Sequence, residues 1–142
     1  MNKIHQISAE HLSIEQIGEI IKNGTKLELS EDARQRIIRC REYLDNKIKE
    51  SETPIYGVTT GFGSLCKISI DKDSLSQLQK NLVMSHACGV GDRVPNEIVK
   101  IMLLLKIQSL SYGYSACQLK TVERLIDFFN NDIYPIVYMQ GS

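Results

Sequence analysis

The sequence predicts a mainly helical fold with minimal sheet. Five segments place apolar residues three or four positions apart, which is the spacing of one face of a helix. A glycine-rich segment, residues 54–66, interrupts them and has no helical period. At 142 residues the chain is long enough for one core, because a domain of this size buries roughly 70% of the surface that its unfolded chain exposes. We therefore expect a single domain over residues 1–142.

The first predicted helix begins after Ser13. Ser13 and Gln16 have the spacing of a capping box, in which each side chain hydrogen-bonds the backbone of the other residue. Gly24 follows the apolar residues and is predicted to end the helix. The face that should be buried consists of Ile14, Ile17, Ile20 and Ile21.

A short extended piece and a longer helix come next. Leu27 and Leu29 alternate with polar neighbours, as residues of a strand do. Ser30 then supplies an N-cap, and the two acidic residues after it complement the helix dipole. This second helix is predicted to run to about Lys49, with an apolar stripe of Ile37, Tyr43, Leu44 and Ile48.

The third helix is predicted to begin near Ser74, with the Ser74 side chain as its cap in an S-x-x-Q pattern completed by Gln77. His86 stands four residues after the last leucine of its apolar stripe, so it closes that face of the helix. Two glycines, Gly89 and Gly91, should end the helix. The stripe itself consists of Leu75, Leu78 and Leu82.

Two further helices are predicted after Pro95, which suits the first turn of the fourth helix. Apolar residues occur on every side of this helix from Ile98 to Leu110, so neighbours should bury most of its surface and the helix needs more protein around it. Within it, we expect Lys100 to extend to the surface rather than to meet an acidic partner. The fifth helix has one apolar face, formed by Leu119, Val122, Ile126 and Phe129. The ten residues that end the sequence, 133–142, are predicted to be extended.

Composition and charge exclude several classes of protein. Seventeen basic residues balance seventeen acidic ones without runs of either sign, so we expect no binding to nucleic acid or to a membrane surface. No segment has the apolar length of a signal peptide or a membrane span. The cysteines lack the spacing of a zinc site, so we expect no bound metal. We expect a cytoplasmic protein whose cysteines are reduced and mostly buried; they are Cys40, Cys66, Cys88 and Cys117.

The glycine-rich segment is the first candidate for a functional site. It lacks the third glycine of GxGxxG and the GK[ST] of a phosphate-binding loop, so nucleotide binding is excluded. Three glycines within seven positions, Gly57, Gly61 and Gly63, indicate a backbone that adopts positive φ or approaches another group closely. Tyr56 adds a phenol beside them. A structural turn with a buried tyrosine would explain the same pattern.

His86 is the second candidate. A histidine at the end of an apolar stripe is either a packed, hydrogen-bonded side chain or a group that binds a substrate, and spacing alone favours packing. His5 and His11 lie in a polar segment without organised neighbours, and no role is assigned to them.

Two motifs resemble those of the aromatic amino-acid ammonia-lyases. Residues 56–65, YGVTTGFGSL, are similar to the YGVxTGFG signature of the histidine, phenylalanine and tyrosine enzymes. Residues 78–91, LQKNLVMSHACGVG, resemble the LQxNLxxSHxxGxG segment of the histidine enzymes. The resemblance continues to Gln140-Gly141-Ser142 and covers nearly the whole chain. It implies the N-terminal domain of the fumarase/aspartase-like (L-aspartase-like) helical fold, with a glycine-rich active-site loop and minimal β structure.

The resemblance also implies a cofactor and a reaction. In this family QGS is followed at once by a segment that contains an Ala-Ser-Gly triad. The triad cyclises into the electrophile 4-methylidene-imidazol-5-one (MIO), and this chain contains no such triad. The reaction removes a β-proton and ammonia from an amino acid and yields a trans-α,β-unsaturated acid. Tyr56 matches the family's catalytic tyrosine. A phenol has a reference pKa of about 10, so a tyrosine base requires surroundings that stabilise phenolate.

Substrate-binding residues follow from the same motifs. His86 matches the position that meets the substrate's side chain, where it can hydrogen-bond an imidazole or a phenol, and Asn81 is assigned to substrate binding with it. Ser85 and Ala87 favour histidine, which would give trans-urocanate. Thr59 stands where many histidine enzymes have asparagine, so tyrosine remains an alternative substrate. The implied active-site loop consists of Gly57, Thr59, Thr60, Gly61, Phe62 and Gly63.

The family's homotetramers imply that a full-length enzyme would surround this chain with further protein. The sequence ends on an apolar extended segment without a closing element, so we expect a portion of a larger protein that is inactive alone. Two alternatives remain: a tyrosine ammonia-lyase or aminomutase of the same family, and a truncated, non-catalytic paralogue that binds full-length subunits. Departures from the family pattern at Lys106, Gln108 and Ala116 keep that region out of the assignment of specificity.

Overall fold

The computed structural model describes residues 3–50, 53–61, 63 and 74–141, apart from the side chain of Leu75. Most of the regular structure in these ranges is helical, which confirms the predicted fold class. Contacts group the chain into two compact units, Met1–Leu44 with Arg93–Val137 and Asp45–Asp92 with Tyr138–Ser142. The elements in chain order are β1 (Ile4–Ile7), α1 (Ile14–Lys22), β2 (Lys26–Leu29), α2 (Glu31–Glu50), α3 (Leu75–His86), β3 (Val90–Arg93), α4 (Asn96–Ser111), α5 (Leu119–Asn130) and β4 (Tyr138–Gln140).

A two-stranded parallel sheet lies in the first unit. Strand β1 pairs with β2 in a register that begins at Ile4 opposite Lys26 and ends at Ile7 opposite Leu29. Helix α1 connects them, because parallel strands need a crossover between their ends. The extended piece at Leu27 is confirmed as β2, whereas β1 was not predicted.

The core of the first unit forms where α4 meets α5, α1 and β1. Leu104 and Ile107 of α4 are fully buried, and Phe129 of α5 is 2% exposed. Burial of side chains of this size contributes roughly 1.5–3 kcal/mol each relative to exposure. The full cluster consists of Ile7, Ile20, Leu27, Ile37, Leu103, Leu104, Ile107, Leu110, Val122, Ile126 and Phe129.

The N-terminal caps differ between the two helices for which the sequence predicts a serine cap with a glutamine partner. Ser13 and Gln16 make both bonds of the capping box: the Gln16 amide donates to Ser13 Oγ at 3.2 Å, and the Ser13 amide donates to Gln16 Oε1 at 2.8 Å. The cap predicted at Ser74 is wrong, because its side chain makes no capping hydrogen bond and its backbone is already helical. The apolar face of α1 is also wrong at Ile14, which is 83% exposed.

Helix α4 is buried on one face and open on the other. Ile98, Met102 and Leu105 are 49%, 47% and 45% exposed, although they lie on a helix whose opposite face forms the core. Their spacing of four and three residues forms one stripe along the helix. Nothing within the described part of the chain covers this stripe, as expected for a helix whose predicted burial requires more protein around it.

No disulfide links the three described cysteines, and burial was predicted incorrectly for one of them. Cys40 and Cys117 are half-buried, and Cys88 is exposed. Cys66 lies outside the described residues. Among the residues that are described, no group of three or more His, Cys, Asp or Glu side chains has an arrangement suited to a metal ion. Over those same ranges, no helix combines the length and apolar character needed to cross a bilayer.

Candidate functional site

Tyr56 begins a tight turn in the second unit. Residues 56–59 form the turn, and the Tyr56 side chain is 63% exposed. Gly57 follows it with φ 71°, and Gly63 has φ 55°, a region that residues with a Cβ rarely adopt. The positive φ predicted for this segment is therefore confirmed at two of its three glycines. The buried tyrosine of the alternative interpretation is not observed, and Phe62 lies outside the described residues.

Two threonines hold this turn in shape. The Ile55 amide donates to Thr59 Oγ1 at 2.8 Å, and the Thr59 amide donates to the Ile55 carbonyl at 2.9 Å. The Gly57 amide donates to Thr60 Oγ1 at 3.2 Å, and the same hydroxyl donates to the Gly61 carbonyl at 3.0 Å. Thr60 is 2% exposed, so its bonds replace those that water would make. Both hydroxyls thus fix the backbone that carries Tyr56.

Helix α3 carries the other two predicted site residues, Asn81 and His86. Its described side chains are exposed or only partly buried. Asn81 Oδ1 accepts a hydrogen bond of 2.7 Å from Gln77 Nε2, one turn earlier. His86 is the last residue of the helix, and its Nδ1 lies 2.9 Å from the carbonyl oxygen of Leu82. The imidazole is therefore oriented by the last turn of α3 rather than by packing in a core.

Glycines bring strand β4 against the segment that follows His86. Strands β3 and β4 form a two-stranded sheet. A Cβ at Gly89 would lie 2.8 Å from Cδ2 of Tyr138, and a Cβ at Gly141 would lie 2.6 Å from the carbonyl oxygen of Cys88. Neither position has room for a side chain. The glycines of the SHxxGxG pattern and of QGS thus share one cause, a close approach of two backbone segments.

Sequence reasoning did not identify this approach. It interpreted Gly89 only as the end of a helix and did not pair it with Gly141, although both glycines belong to the quoted motifs. The structure puts Tyr56, Asn81 and His86 in the same compact unit as these glycines. Ser85 was also missed as a partner of His86; its hydroxyl lies 3.0 Å from His86 Nδ1.

Two cavities of the first unit contain none of these residues. One, of about 140 Å³, includes His5, whose pKa is lowered by burial. The other lies beside Arg34 and Glu123, which form an ion pair at 2.6 Å. The size of a cavity does not identify the candidate site, because Tyr56, Asn81 and His86 are exposed side chains of the second unit.

Comparison with known proteins gives a consistent result. The family model described as aromatic amino acid lyase matches residues 12–142. The histidine ammonia-lyase of Deinococcus radiodurans is 47% identical over 131 residues, which cover 92% of this chain and 25% of that protein. The histidine ammonia-lyase of Caldanaerobacter subterraneus is 40% identical over 136 residues, covering 96% of this chain and 27% of that protein. The chain thus spans about a quarter of the length of these relatives.

Solved structures of similar fold extend over nearly the whole chain. Ergothionase from Treponema denticola superimposes with a TM-score of 0.91 at 27% identity, covering 99% of this chain and 28% of that one. Tyrosine aminomutase from Streptomyces globisporus gives 0.88 at 28% identity, with 100% and 26% covered. Histidine ammonia-lyase from Trypanosoma cruzi gives 0.84 at 28% identity, with 99% and 27% covered.

Proposed function

We propose, from the premise that this chain belongs to the aromatic amino acid lyase family, that it is the amino-terminal part of a histidine ammonia-lyase. The complete enzyme would convert L-histidine into trans-urocanate and ammonia without oxidation. Support comes from relatives of 40% identity or more that bear this name and match over nine-tenths of the chain. The chain alone would be inactive, and the active form would be a homotetramer.

The observation that carries this proposal is the contact between Gly141 and the segment after His86. A Cβ at Gly141 would come within 2.6 Å of the Cys88 carbonyl oxygen, so the chain leaves β4 directly beside that segment. The family resemblance implies that the Ala-Ser-Gly triad follows QGS at this point. A group formed there would lie close in sequence to Gly141 and hence near the end of α3.

The residues of this chain are compatible with MIO beside them, but they do not include the residues that form it. No Ala-Ser-Gly triad occurs in the sequence, so MIO would come from residues beyond Ser142. At Gly89 and Gly141 a Cβ would clash with the neighbouring segment, so glycine at these positions lets the segment that would lead into MIO lie against the residues after α3. When present, MIO supplies the electrophile that activates the amino acid for loss of ammonia.

In this proposal Tyr56 is the base. As phenolate, its oxygen takes the proton from the substrate's β-carbon; the electrons of that C–H bond form the double bond as the bond to nitrogen breaks. The turn held by Thr59 and Thr60 fixes the position of the phenol. An exposure of 63% leaves the ring accessible to substrate or to further protein.

His86 and Asn81 would bind the substrate from the end and middle of α3. A buried polar group that meets a substrate lacking its partner loses a hydrogen bond, so a histidine at this position discriminates against an apolar ring. Assembly of the complete enzyme would provide the burial that the exposed helix lacks here.

The test is Tyr56→Phe in the complete enzyme. Because general-base catalysis contributes typically 10²–10⁴-fold, urocanate formation should fall by at least about a hundredfold with the tetramer intact. Tyr43→Phe is a matched control, since Tyr43 is 65% exposed and lies on α2; it should leave turnover unchanged. Full activity of Tyr56→Phe would remove the assigned role.

A second candidate is an ammonia-lyase or aminomutase that acts on tyrosine. The similarity in fold to tyrosine aminomutase favours it, as does Thr59 in place of asparagine. The ratio of kcat/KM for histidine and for tyrosine separates the two. Faster conversion of tyrosine, with coumarate or β-tyrosine as product, would replace histidine by tyrosine in the proposal.

A further inference from the structure

Three polar atoms meet at the last turn of α3, around the His86 ring. Ser85 Oγ donates to the Leu82 carbonyl oxygen at 2.8 Å, the i−3 pattern common for serine in helices. His86 Nδ1 lies 2.9 Å from the same carbonyl oxygen and 3.0 Å from Ser85 Oγ. Each atom is thus within hydrogen-bond distance of the other two.

The number of protons in this triangle determines the tautomer of the ring. A carbonyl oxygen only accepts, so an Nδ1 atom at 2.9 Å from Leu82 must carry a proton to bond it. The Ser85 hydroxyl has one proton, which it gives to the same carbonyl, and its lone pair can then share the Nδ1 proton. If the ring proton were on Nε2 instead, a lone pair of His86 Nδ1 would face a lone pair of the Leu82 carbonyl oxygen. The single proton of the Ser85 hydroxyl would then be the only donor for these two acceptors.

We propose that Ser85 is a positioning residue that, with the Leu82 carbonyl, holds neutral His86 protonated on Nδ1, so that Nε2 is an acceptor for a donor group on the substrate. This inference rests on the proposed function for its substrate and on the triangle for its chemistry. The side chains it accepts are those with an N–H or O–H, an imidazole or a phenol. A phenyl ring offers no donor to Nε2.

A spectroscopic test addresses the tautomer without any need for catalysis. The complete protein is labelled with ¹⁵N in its imidazole rings and studied by solid-state NMR over a pH series, and the tautomer is determined at the pH values where the spectrum shows an uncharged ring. Signals absent from His86→Phe belong to His86. The expected result is a protonated Nδ1 and a bare Nε2, with a larger share of the other tautomer in Ser85→Ala. A bare Nδ1 in the unaltered protein would overturn the proposal.

A kinetic cycle tests the consequence for binding. With whichever of histidine or tyrosine the enzyme deaminates, Ser85→Ala should lower kcat/KM about two- to tenfold, the loss of one ordinary hydrogen bond. Ser85→Thr keeps the hydroxyl and should restore most of it. In the His86→Phe background, Ser85→Ala should have no further effect, because the ring it orients is gone.

The outcomes separate this inference from the proposed function. An equal loss in both backgrounds, or no loss in either, would mean that Ser85 does not act through His86. A protein that deaminates neither amino acid refutes the proposed function, while the NMR result still decides the tautomer. Retention of the tetramer in all variants controls for misfolding.

Discussion

The side chain of Asn130 makes two hydrogen bonds with the backbone of Leu27, in the way that a neighbouring strand would. Asn130 Oδ1 accepts from the Leu27 amide at 2.7 Å, and Nδ2 donates to the Leu27 carbonyl at 2.8 Å. Strand β2 has β1 on its other edge, and Leu27 is fully buried. The last residue of α5 therefore completes the edge of a sheet that consists of two strands.

We expect Asn130→Ala to destabilise the protein by about 1–3 kcal/mol, because it leaves a buried amide and a buried carbonyl unpaired. The free energy of urea unfolding measures this loss. Asn131→Ala is the matched control: its Nδ2 donates to the Asp127 carbonyl at 2.8 Å in an exposed position, so a change of at most a few tenths of a kcal/mol is expected. Equal effects of the two substitutions would contradict a role for the Leu27 pairing.

Local patterns predicted the helices, whereas contacts between distant residues decided the features that were missed. The capping box at Ser13 involves residues three apart, so the sequence shows it directly. Strand β1 is visible only once Ile4 to Ile7 pair with residues about twenty positions later. Ser74 has the right spacing to Gln77, but its helical backbone removes the extended geometry that a cap needs.

The same distinction applies to the candidate site. Tyr56 and His86 were identified through motifs that resemble a family, and the positive φ of Gly57 follows from the glycine pattern. The approach of Gly141 to Cys88 could not be predicted, since it joins positions more than fifty residues apart. The apolar residues of α4 indicated that this helix needs more protein around it, but a sequence does not show which neighbours cover which residues.

A cluster of Lys100, Asp132 and Tyr134 should make stability depend on pH. Lys100 Nζ donates to Asp132 Oδ1 at 2.6 Å, and the Tyr134 hydroxyl donates to the same oxygen at 2.5 Å. The side chain of Lys100 is only 16% exposed, so the expectation that it extends to the surface was wrong. It instead lies over the Phe129 ring, 5.0 Å from its centroid, with an acidic partner.

The pKa shifts in this cluster define a window of stability. Hydrogen bonds from Lys100 and Tyr134 lower the pKa of Asp132. Burial alone would lower the pKa of Lys100, but its bonds to Asp132 and Tyr134 outweigh that effect and raise it. Burial, followed by the bond to Asp132, raises the pKa of Tyr134. The contribution of Asp132 to stability is present above its unfolded pKa and is lost as pH falls through its lowered pKa. The contributions of Lys100 and Tyr134 are present below their unfolded pKa values and are lost as pH rises through their raised pKa values.

Asp132→Asn tests this window. Asp132 has φ 54°, which asparagine tolerates, so the substitution removes the charge without backbone strain. At neutral pH the variant should be less stable by up to about 1 kcal/mol, since the Asp132 side chain is 60% exposed and solvent screens its charge. The difference should be constant from about pH 5 to 9, should decline as pH falls through the reference carboxyl pKa of about 3.9, and should vanish below the lowered pKa of Asp132. A difference that persists at low pH would show that charge is not the cause.

The open stripe of α4 should make the 142-residue chain associate. Ile98, Met102 and Leu105 are each nearly half exposed, and contiguous apolar surface of this kind promotes contacts between molecules. In sedimentation experiments we expect the chain alone to be oligomeric or aggregated at micromolar concentration and to lack lyase activity. Met102→Lys with Leu105→Lys should shift the chain toward monomer. Each lysine places a charge within the apolar stripe, while its aliphatic carbons still cover the helix surface.

Gln35→Lys with Thr121→Lys provides the matched control, since both residues are exposed and lie on other helices, α2 and α5. This control pair adds the same two positive charges and should leave association unchanged, so that any effect of Met102→Lys with Leu105→Lys reflects lost apolar contact rather than net charge. In the complete enzyme Met102→Lys with Leu105→Lys should instead impair assembly, because the stripe would then be covered by further protein. A monomeric, unaltered chain together with an unaffected complete enzyme would contradict the assignment of this face as an interface.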